Sequence, residues 1–503
     1  MSTVIVLASV ALAATILHFL TGRRPAKPPY PPGPPPRLLT GNLYDVPKSK
    51  PWKTYHEWSK AYGSGLVHYQ VNSKHTVIIN SKELSDRMLE KRSRIYSDRP
   101  YIPMVDLLGW APINAGFMGY TDTWRKHRRL YQQGFRPDAS RNYNSIQSTK
   151  TAEFITNLRE DPANFLAHIR TLAAAAILAT IYGYDISPTN DYFVDLAEKA
   201  VGTLVLLVTP AAAIVNMFPV LRHLPLWFPV FDFQKSAVVS RGLVQQMIDV
   251  PYEYVRSNMK AGTAKPCLLS QILERHDVND GDKDQELVIK GVCATGYGGT
   301  ILFPEYLRQK PILIEPSPTA GADTTVSAME TFFLAMGMHP DVQKKAQNEL
   351  NAIVGRGRTP GYEERPNLPY IEAIFRETLR AMSRNETVYP NPESFNPERF
   401  LKNDGTCNDV DDAMFIFGAG RRICPGRHFA SATLWMAISS VLAEFDIGKP
   451  TTVDGKDIRS LEDANYSDVI RVVIYVQSHQ DLKKIEPITE RLEPSGDPRT
   501  LTL

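Results

Sequence analysis

"FGAGRRICPG", Phe417 to Gly426, is the stretch that decides how this chain is read. It sets one cysteine, Cys424, in a glycine-rich loop two residues after Arg422, just ahead of a helical pattern that opens near Arg427. A solitary cysteine is ordinarily a small buried hydrophobe. This loop, however, has the parts that a thiolate needs. Gly418 and Gly420 let the backbone turn tightly and approach a flat ligand, and Gly426 allows another close turn before the helix. The N–H groups of the loop and of the helix start favour a negative sulfur. Arg422 is placed to pair with a carboxylate.

Working outward, Phe417, Gly420, Arg422, Cys424 and Gly426 fill the pattern Phe-x-x-Gly-x-Arg-x-Cys-x-Gly. In this the chain resembles the cytochrome P450 family of haem-thiolate monooxygenases. The resemblance implies that Cys424 is the axial ligand of haem b iron, and that Phe417, Gly420, Arg422 and Gly426 belong to the cofactor site. A thiolate ligand pushes electron density onto iron and favours O–O cleavage. The implied fold is mostly α with small β-sheets, an α+β arrangement in a single large domain.

Three further segments follow the family's order. "ETLR" puts Glu377 and Arg380 three apart on one helix face, which alone would be an ordinary surface pair. The resemblance joins them to Arg399 of "PERF" as a structural ion network. "WRKHRR" supplies Trp124 and Arg128, which by resemblance hold a haem propionate, as Arg422 would. Arg125, Lys126 and Arg129 read as solvated charges which, with Arg421 and Arg427, suit an acidic electron donor. In "AGADTT", Asp323 and Thr324 take the places of the family's proton-relay pair, and Gly321 leaves room for O2. A bare Asp-Thr is otherwise an N-cap.

The bulk numbers fit this reading. The chain has 503 residues, 43% hydrophobic and 22% charged, so it can bury a sizeable core. A formal charge of +3 gives no footing for nucleic acid. Four widely spaced cysteines make neither a disulfide framework nor a zinc site. Gly65 to Ile79 alternates like strands, Thr171 to Tyr182 reads as a buried Ala-rich helix, and Pro340 to Val354 carries Val342, Ala346, Leu350 and Ile353 on one face.

At the N-terminus, Val4 to Leu20 is almost continuously apolar and is followed by Arg23, Arg24 and Lys27. Charge after the apolar run favours a retained anchor over a removed signal and keeps the body cytosolic. The expected organisation is therefore an anchor at 1–21, a basic and proline-rich linker at 22–40, and a catalytic domain at 41–503. Residues 203 to 232 are apolar and broken by Pro210, Pro219, Pro225 and Pro229. They read either as core helix plus loop or as a lid that dips into a membrane.

Resemblance runs from the anchor to about residue 470. "FPVLRHLPLWFP" and "LPYIEAIFRETLR" are similar to fungal members related to O-methylsterigmatocystin oxidoreductase, which act in secondary metabolism. That implies a hydrophobic terpenoid, polyketide or indole-like substrate, met by the loop from Tyr101 to Met118, the apolar segment and the distal helix. It also implies O2, an NADPH-cytochrome P450 reductase and a single-pass position in the endoplasmic reticulum membrane. Two departures stand out. Thr300 to Ala320 interrupts the distal helix with Pro304, Pro311, Pro316 and Pro318 and reads as an in-frame retained intron. Only 16 residues separate Arg380 from Pro397, which reads as a deletion of pocket-lining strands. A haem-thiolate isomerase or dehydratase is the runner-up within the fold, and an inactive, misassembled membrane haem protein is the alternative outside it.

Overall fold

The computed structural model describes residues 29–47, 51–71, 74–187, 190–224, 233–276, 282–298, 324–381, 394–408, 412–449, 451–452, 470–471 and 474–476. The expected anchor at 1–21, the interval 300–320 and most of the interval between Arg380 and Pro397 lie outside them. The chain divides into two units, Met1–Arg92 and Ser93–Leu503.

In the first unit, β1 (Leu66–Val71) and β2 (Lys74–Ile79) pair antiparallel, from Leu66 opposite Ile79 to Val71 opposite Lys74. Alternation turns Val67 and Tyr69 inward, both buried. Tyr69 stacks on Tyr55 of helix α1 (Pro51–Ala61) with ring centres 6.0 Å apart. Part of the expected linker is docked on this hairpin. His68 donates its N–H to Pro32 O at 3.0 Å, and Asn42 Nδ2 donates to Pro34 O at 3.1 Å. Proline carbonyls have no N–H beside them to build a ladder, so outside donors satisfy them.

The second unit is helical. In chain order come α2 (Pro103–Leu107), α3 (Asp122–Phe135), α4 (Asn144–Glu160), α5 (Phe165–Tyr182), α6 (Tyr192–Gly202) and α7 (Pro210–Met217). Then follow α8 (Phe233–Ala261), α9 (Leu268–His276), α10 (Lys283–Gly298), α11 (Thr324–Met338), α12 (Pro340–Ile353), α13 (Pro369–Ala381) and α14 (Arg427–Glu444). Short antiparallel pairs, β3 (Phe445–Ile447) with β6 (Ile474–Val476) and β4 (Thr451–Thr452) with β5 (Ile470–Arg471), complete it. Helix makes up 68% of the structure and the sheets are small, so the fold is the mostly helical one anticipated from the sequence.

Two helices organise the core. α5 has no charged residue after Arg170 and is buried on every side from Leu172 to Tyr182. Its first half packs into one apolar cluster with α4 and α11 to α14, its second half into another with α3 and α6 to α10. Each fully buried Leu or Ile there contributes about 1.5–3 kcal/mol over exposure. The segment Pro162–Tyr182 is long and apolar enough to cross a membrane, yet 72% of its apolar window is buried inside the protein. It is a core helix. α14 is likewise enclosed from Thr433 to Leu442, with Trp435 fully buried. In α12 one expectation fails. Ile353 ends the helix 48% exposed, and Val354 takes the buried place instead.

Between α6 and α8 the chain forms a 3-10 turn (Thr203–Val208), α7 and a second turn (Pro219–His223). Ala212 and Val215 face inward, while Met217, Phe218 and Val220 are exposed.

Candidate active site

The loop from Phe417 to Gly426 is closed by its own backbone. Cys424 N–H donates to Phe417 O at 2.7 Å, and Gly418 N–H donates to Phe415 O at 2.9 Å. The closure needs left-handed backbone at Gly418 (φ +81°) and Gly420 (φ +64°), where a Cβ would be strained. Gly426 differs from its expected role. Its φ of −83° is open to any residue, and it caps α14. Its value here is proximity, since a Cβ on it would lie 4.0 Å from Cys424 Sγ.

Cys424 forms part of the wall of a cavity of about 280 Å³. Burial pushes its thiol pKa up, while the Gly426 N–H and the Arg128 and Arg427 guanidiniums pull it down. One face of α3 supplies a second wall. Trp124, Arg128, Tyr131 and Phe135 follow the helical period and all line the cavity. Thr121 caps that helix by accepting the Trp124 N–H. The cavity is also lined by α5, through Ala173, Ala176 and Ile177, and by the end of α10, through Thr295, Gly296 and Gly298. Tyr131 OH donates to Val292 O at 2.9 Å, which ties α3 to α10.

Arg422 is held on three carbonyls. Its Nε donates to Ser97 O (2.7 Å), Nη1 to Ala115 O (3.2 Å) and Nη2 to Met118 O (2.9 Å). Its guanidinium lies over the Trp124 ring at 4.3 Å. Two of its five N–H groups remain for a ligand. Arg99 and Arg128 share the cavity wall. Neither makes a side-chain hydrogen bond or ion pair among the described residues. Desolvation lowers the pKa of both, and desolvation with repulsion from Arg99 and Arg128 brings Arg422 down to about 10. Three guanidiniums on a cavity wall that carries no carboxylate, with Asp98 acting on Arg422 from outside it, favour an anionic ligand. A flat group bearing two carboxylates, held beside the half-buried Cys424 thiol, suits this set.

Asp323 lies outside the described residues. Thr324 opens α11, and its neighbour Thr325 lines the cavity. Both helices flanking the proline-rich interval, α10 and α11, thus reach the same space. Glu377, Arg380 and Arg399 come together elsewhere, with Arg399 Nε 3.1 Å from Glu377 Oε2, and none of them lines the cavity. Arg125, Lys126, Arg129 and Arg421 are exposed and Arg427 is half-buried. Of the cavity residues that the sequence did not single out, Tyr131 and Phe135 were signalled by the period running from Trp124. Arg99 had no such signal.

The fold is helical, and its cavity brings a half-buried thiol together with three guanidiniums. Comparison with known proteins gives the family. The cytochrome P450 family model matches residues 31–289, 318–383 and 379–465, and the chain belongs to that family. It is 34% identical over 494 residues to cytochrome P450 monooxygenase 208 of Postia placenta, covering 91% of each chain. It is 33% identical over 501 residues to cytochrome P450 monooxygenase COX1 of Coprinopsis cinerea, covering 90% of this chain and 92% of the relative. Cytochrome P450 monooxygenase 98 of Postia placenta is 32% identical over 483 residues, with 88% of each covered. The chain is a cytochrome P450 monooxygenase.

Proposed function

We propose that this monooxygenase carries haem b and inserts one oxygen atom of O2 into a lipophilic secondary metabolite, a terpenoid, polyketide or indole-like molecule. The observation that carries the reading is Cys424 in one cavity with Arg99, Arg128 and Arg422. Cys424 Sγ would be the iron ligand, and the three guanidiniums would hold the propionates. Haem, when bound, supplies the dioxygen chemistry that no side chain here provides. The protein's own part is to offset some of the cost of burying a charged sulfur, with the Gly426 N–H and nearby guanidiniums, and to keep water out with Trp110, Ile177, Val201 and Leu204. Asp323 and Thr324 would pass protons from their carboxyl and hydroxyl into the cavity. Thr325 in the cavity wall supports that placement.

Electrons would come from NADPH through NADPH-cytochrome P450 reductase, docking on Arg125, Lys126, Arg129 and Arg421, whose exposure suits an acidic partner. The exposed Met217, Phe218 and Val220 support the membrane-dipping lid. With the apolar N-terminal run they favour the endoplasmic reticulum membrane, catalytic domain in the cytosol.

Residues 290–317 fall between the first two stretches matched by the family model. That gap overlaps the proline-rich piece at 300–320 that reads as an insertion, and α10 lines the cavity as far as Gly298. The last two matched stretches both use residues 379–383, as a deletion after Arg380 would require. That observation favours a second reading, an inactive haem protein. A reduced carbon-monoxide difference spectrum on the purified full chain decides between them. A thiolate-type Soret band, lost in Cys424→Ala, is expected. Its absence would defeat the catalytic reading. Reductase-dependent product formation then separates a monooxygenase from an isomerase.

A further inference from the structure

α14 follows directly on the cysteine loop, and α4 packs along it. At the far end of the pair, Arg159 of α4 meets Glu444 of α14 in an ion pair open to solvent, which holds weakly. At the near end the contact is buried. Gln147, the first buried residue of α4, is 0% exposed, and Phe154, Ile155 and Leu158 continue the buried side of that helix. Its Nε2 donates to Phe429 O at 2.8 Å and to Thr433 Oγ1 at 2.7 Å. Thr433 Oγ1 in turn donates to Phe429 O at 3.0 Å. Tyr362, in the connection between α12 and α13, shares its one hydroxyl proton between Gln147 Oε1 (3.2 Å) and Ala432 O (3.3 Å). Phe429 O can only accept, which fixes the way the Gln147 amide faces.

Stability alone does not call for an amide here. Taking it out of water costs roughly what its hydrogen bonds return, and a methionine of similar length would fill the same place. What the amide adds is direction. Apolar side chains slide past one another at small cost, whereas donors 2.7 and 2.8 Å from their acceptors resist displacement. The two residues it holds, Phe429 and Thr433, both line the cavity that Cys424 lines. From there the link to the sulfur is short. Ala430 N–H donates to Gly426 O at 2.9 Å, and the Gly426 N–H bonds to Cys424 Sγ. A shift of α14 would carry that N–H with it.

We propose that Gln147 is a positioning residue for Cys424: by holding Phe429 O and Thr433 Oγ1 it fixes α14 along its axis and keeps the Gly426 N–H on the sulfur. The inference rests on Cys424 being the ligand of haem iron. Gln147 acts through the helix and lies outside the cavity wall. An N–H on a thiolate draws charge from it, so a sulfur that loses this bond donates more strongly to its metal.

The test uses the full-length haem protein, wild type beside Gln147→Met, Thr433→Ser and Thr151→Val. Gln147→Met orphans no partner, since Phe429 O keeps the Thr433 hydroxyl and Tyr362 OH keeps Ala432 O, so its urea midpoint should stay at the wild-type value. In mild urea the thiolate-type band of its reduced carbon-monoxide complex should give way to a thiol-type band about tenfold faster, the weight of one to two hydrogen bonds. Its reduction potential should fall. Thr433→Ser keeps the acceptor and should match wild type in both. Thr151→Val changes the next turn of the same buried side, where Oγ1 has no hydrogen-bond partner among the described residues, and should match as well. Hydrogen exchange at residues 427–433 should quicken in Gln147→Met alone. A wild-type potential and decay rate in Gln147→Met overturn the proposal, as does an equal change in Thr151→Val. If the wild type shows no thiolate-type band, the haem reading fails, and exchange at 427–433 still decides whether Gln147 fixes α14.

Discussion

Arg380 holds Glu377 through two parallel hydrogen bonds, Nε to Oε2 at 2.8 Å and Nη2 to Oε1 at 2.9 Å, where neither side chain meets solvent. Asn396 N–H adds a third bond to Oε1 at 2.8 Å, and Ser394 O accepts from Arg399 Nη2 at 3.0 Å. The network thus fastens α13 to the "PERF" turn across a short connection. Buried pairs add little net stability, but removing one partner strands the other charge. Glu377→Ala should cost about 3–5 kcal/mol. Arg380→Lys keeps the charge but loses the fork, so its cost should be smaller yet clear. Urea denaturation followed by tryptophan fluorescence measures both.

Gly418 tests the cysteine loop. An added Cβ would meet nothing closer than 3.9 Å, so space is not the obstacle. The φ of +81° is, at roughly 1–2 kcal/mol for an L side chain. Gly418→Ala should loosen the loop and speed haem transfer to apomyoglobin. Gly405 has nearly the same φ, +82°, and open space around it, and lies outside the cysteine loop. Gly405→Ala should lose comparable stability while haem transfer stays at the wild-type rate.

The sequence was most legible where function repeats a local pattern. The cysteine loop was readable because its glycines sit at fixed offsets from Cys424. The Glu377–Arg380 pair was readable because three residues bring side chains onto one helix face. Arg99 was not, because it lies in an unpatterned loop and reaches the cavity only through tertiary packing. Ile353 was misplaced because periodicity continues on paper past the residue where the helix stops. α14 shows a different limit, since a helix enclosed on all sides has no polar face to orient it.

His127 should give the fold an acid-sensitive component. It is fully buried on α3, and neither ring nitrogen finds a hydrogen-bond partner among the described residues. Burial opposes the charged form and lowers its pKa from 6.5 to about 4. Between those values the unfolded chain takes up a proton that the folded chain refuses. The contribution is therefore intact above pH 6.5 and is lost as pH falls, by roughly 3 kcal/mol at about pH 4. His127→Leu should match wild type to within about 1 kcal/mol at pH 7, because no hydrogen bond to the described residues is lost. Its urea midpoint should then fall less steeply from pH 6.5 to 4. An equally steep acid limb in the variant would remove His127 as the cause.

Gly33 sets the approach of the proline-rich segment to β1. A Cβ at this position would fall 1.8 Å from His68 O, a backbone atom that cannot yield without breaking the strand. Around this contact, His68 N–H donates to Pro32 O at 3.0 Å, and the Tyr30 ring covers His68 and His75 with centres 4.4 and 4.3 Å away. The two imidazoles are themselves joined, His68 Nε2 to His75 Nδ1, at 2.9 Å. Gly33→Ala should therefore release Tyr30 to Pro35 from the hairpin as one piece. The β1–β2 ladder does not depend on Gly33, since its register runs from Leu66 and Ile79 to Val71 and Lys74 without it. Hydrogen exchange should quicken sharply at the His68 amide and little at the ladder amides. Proteolysis should newly cut near Arg37. Uniform acceleration across the hairpin would show instead that the docked segment holds the strands together, and the close contact at Gly33 would then be a condition of folding for the whole unit.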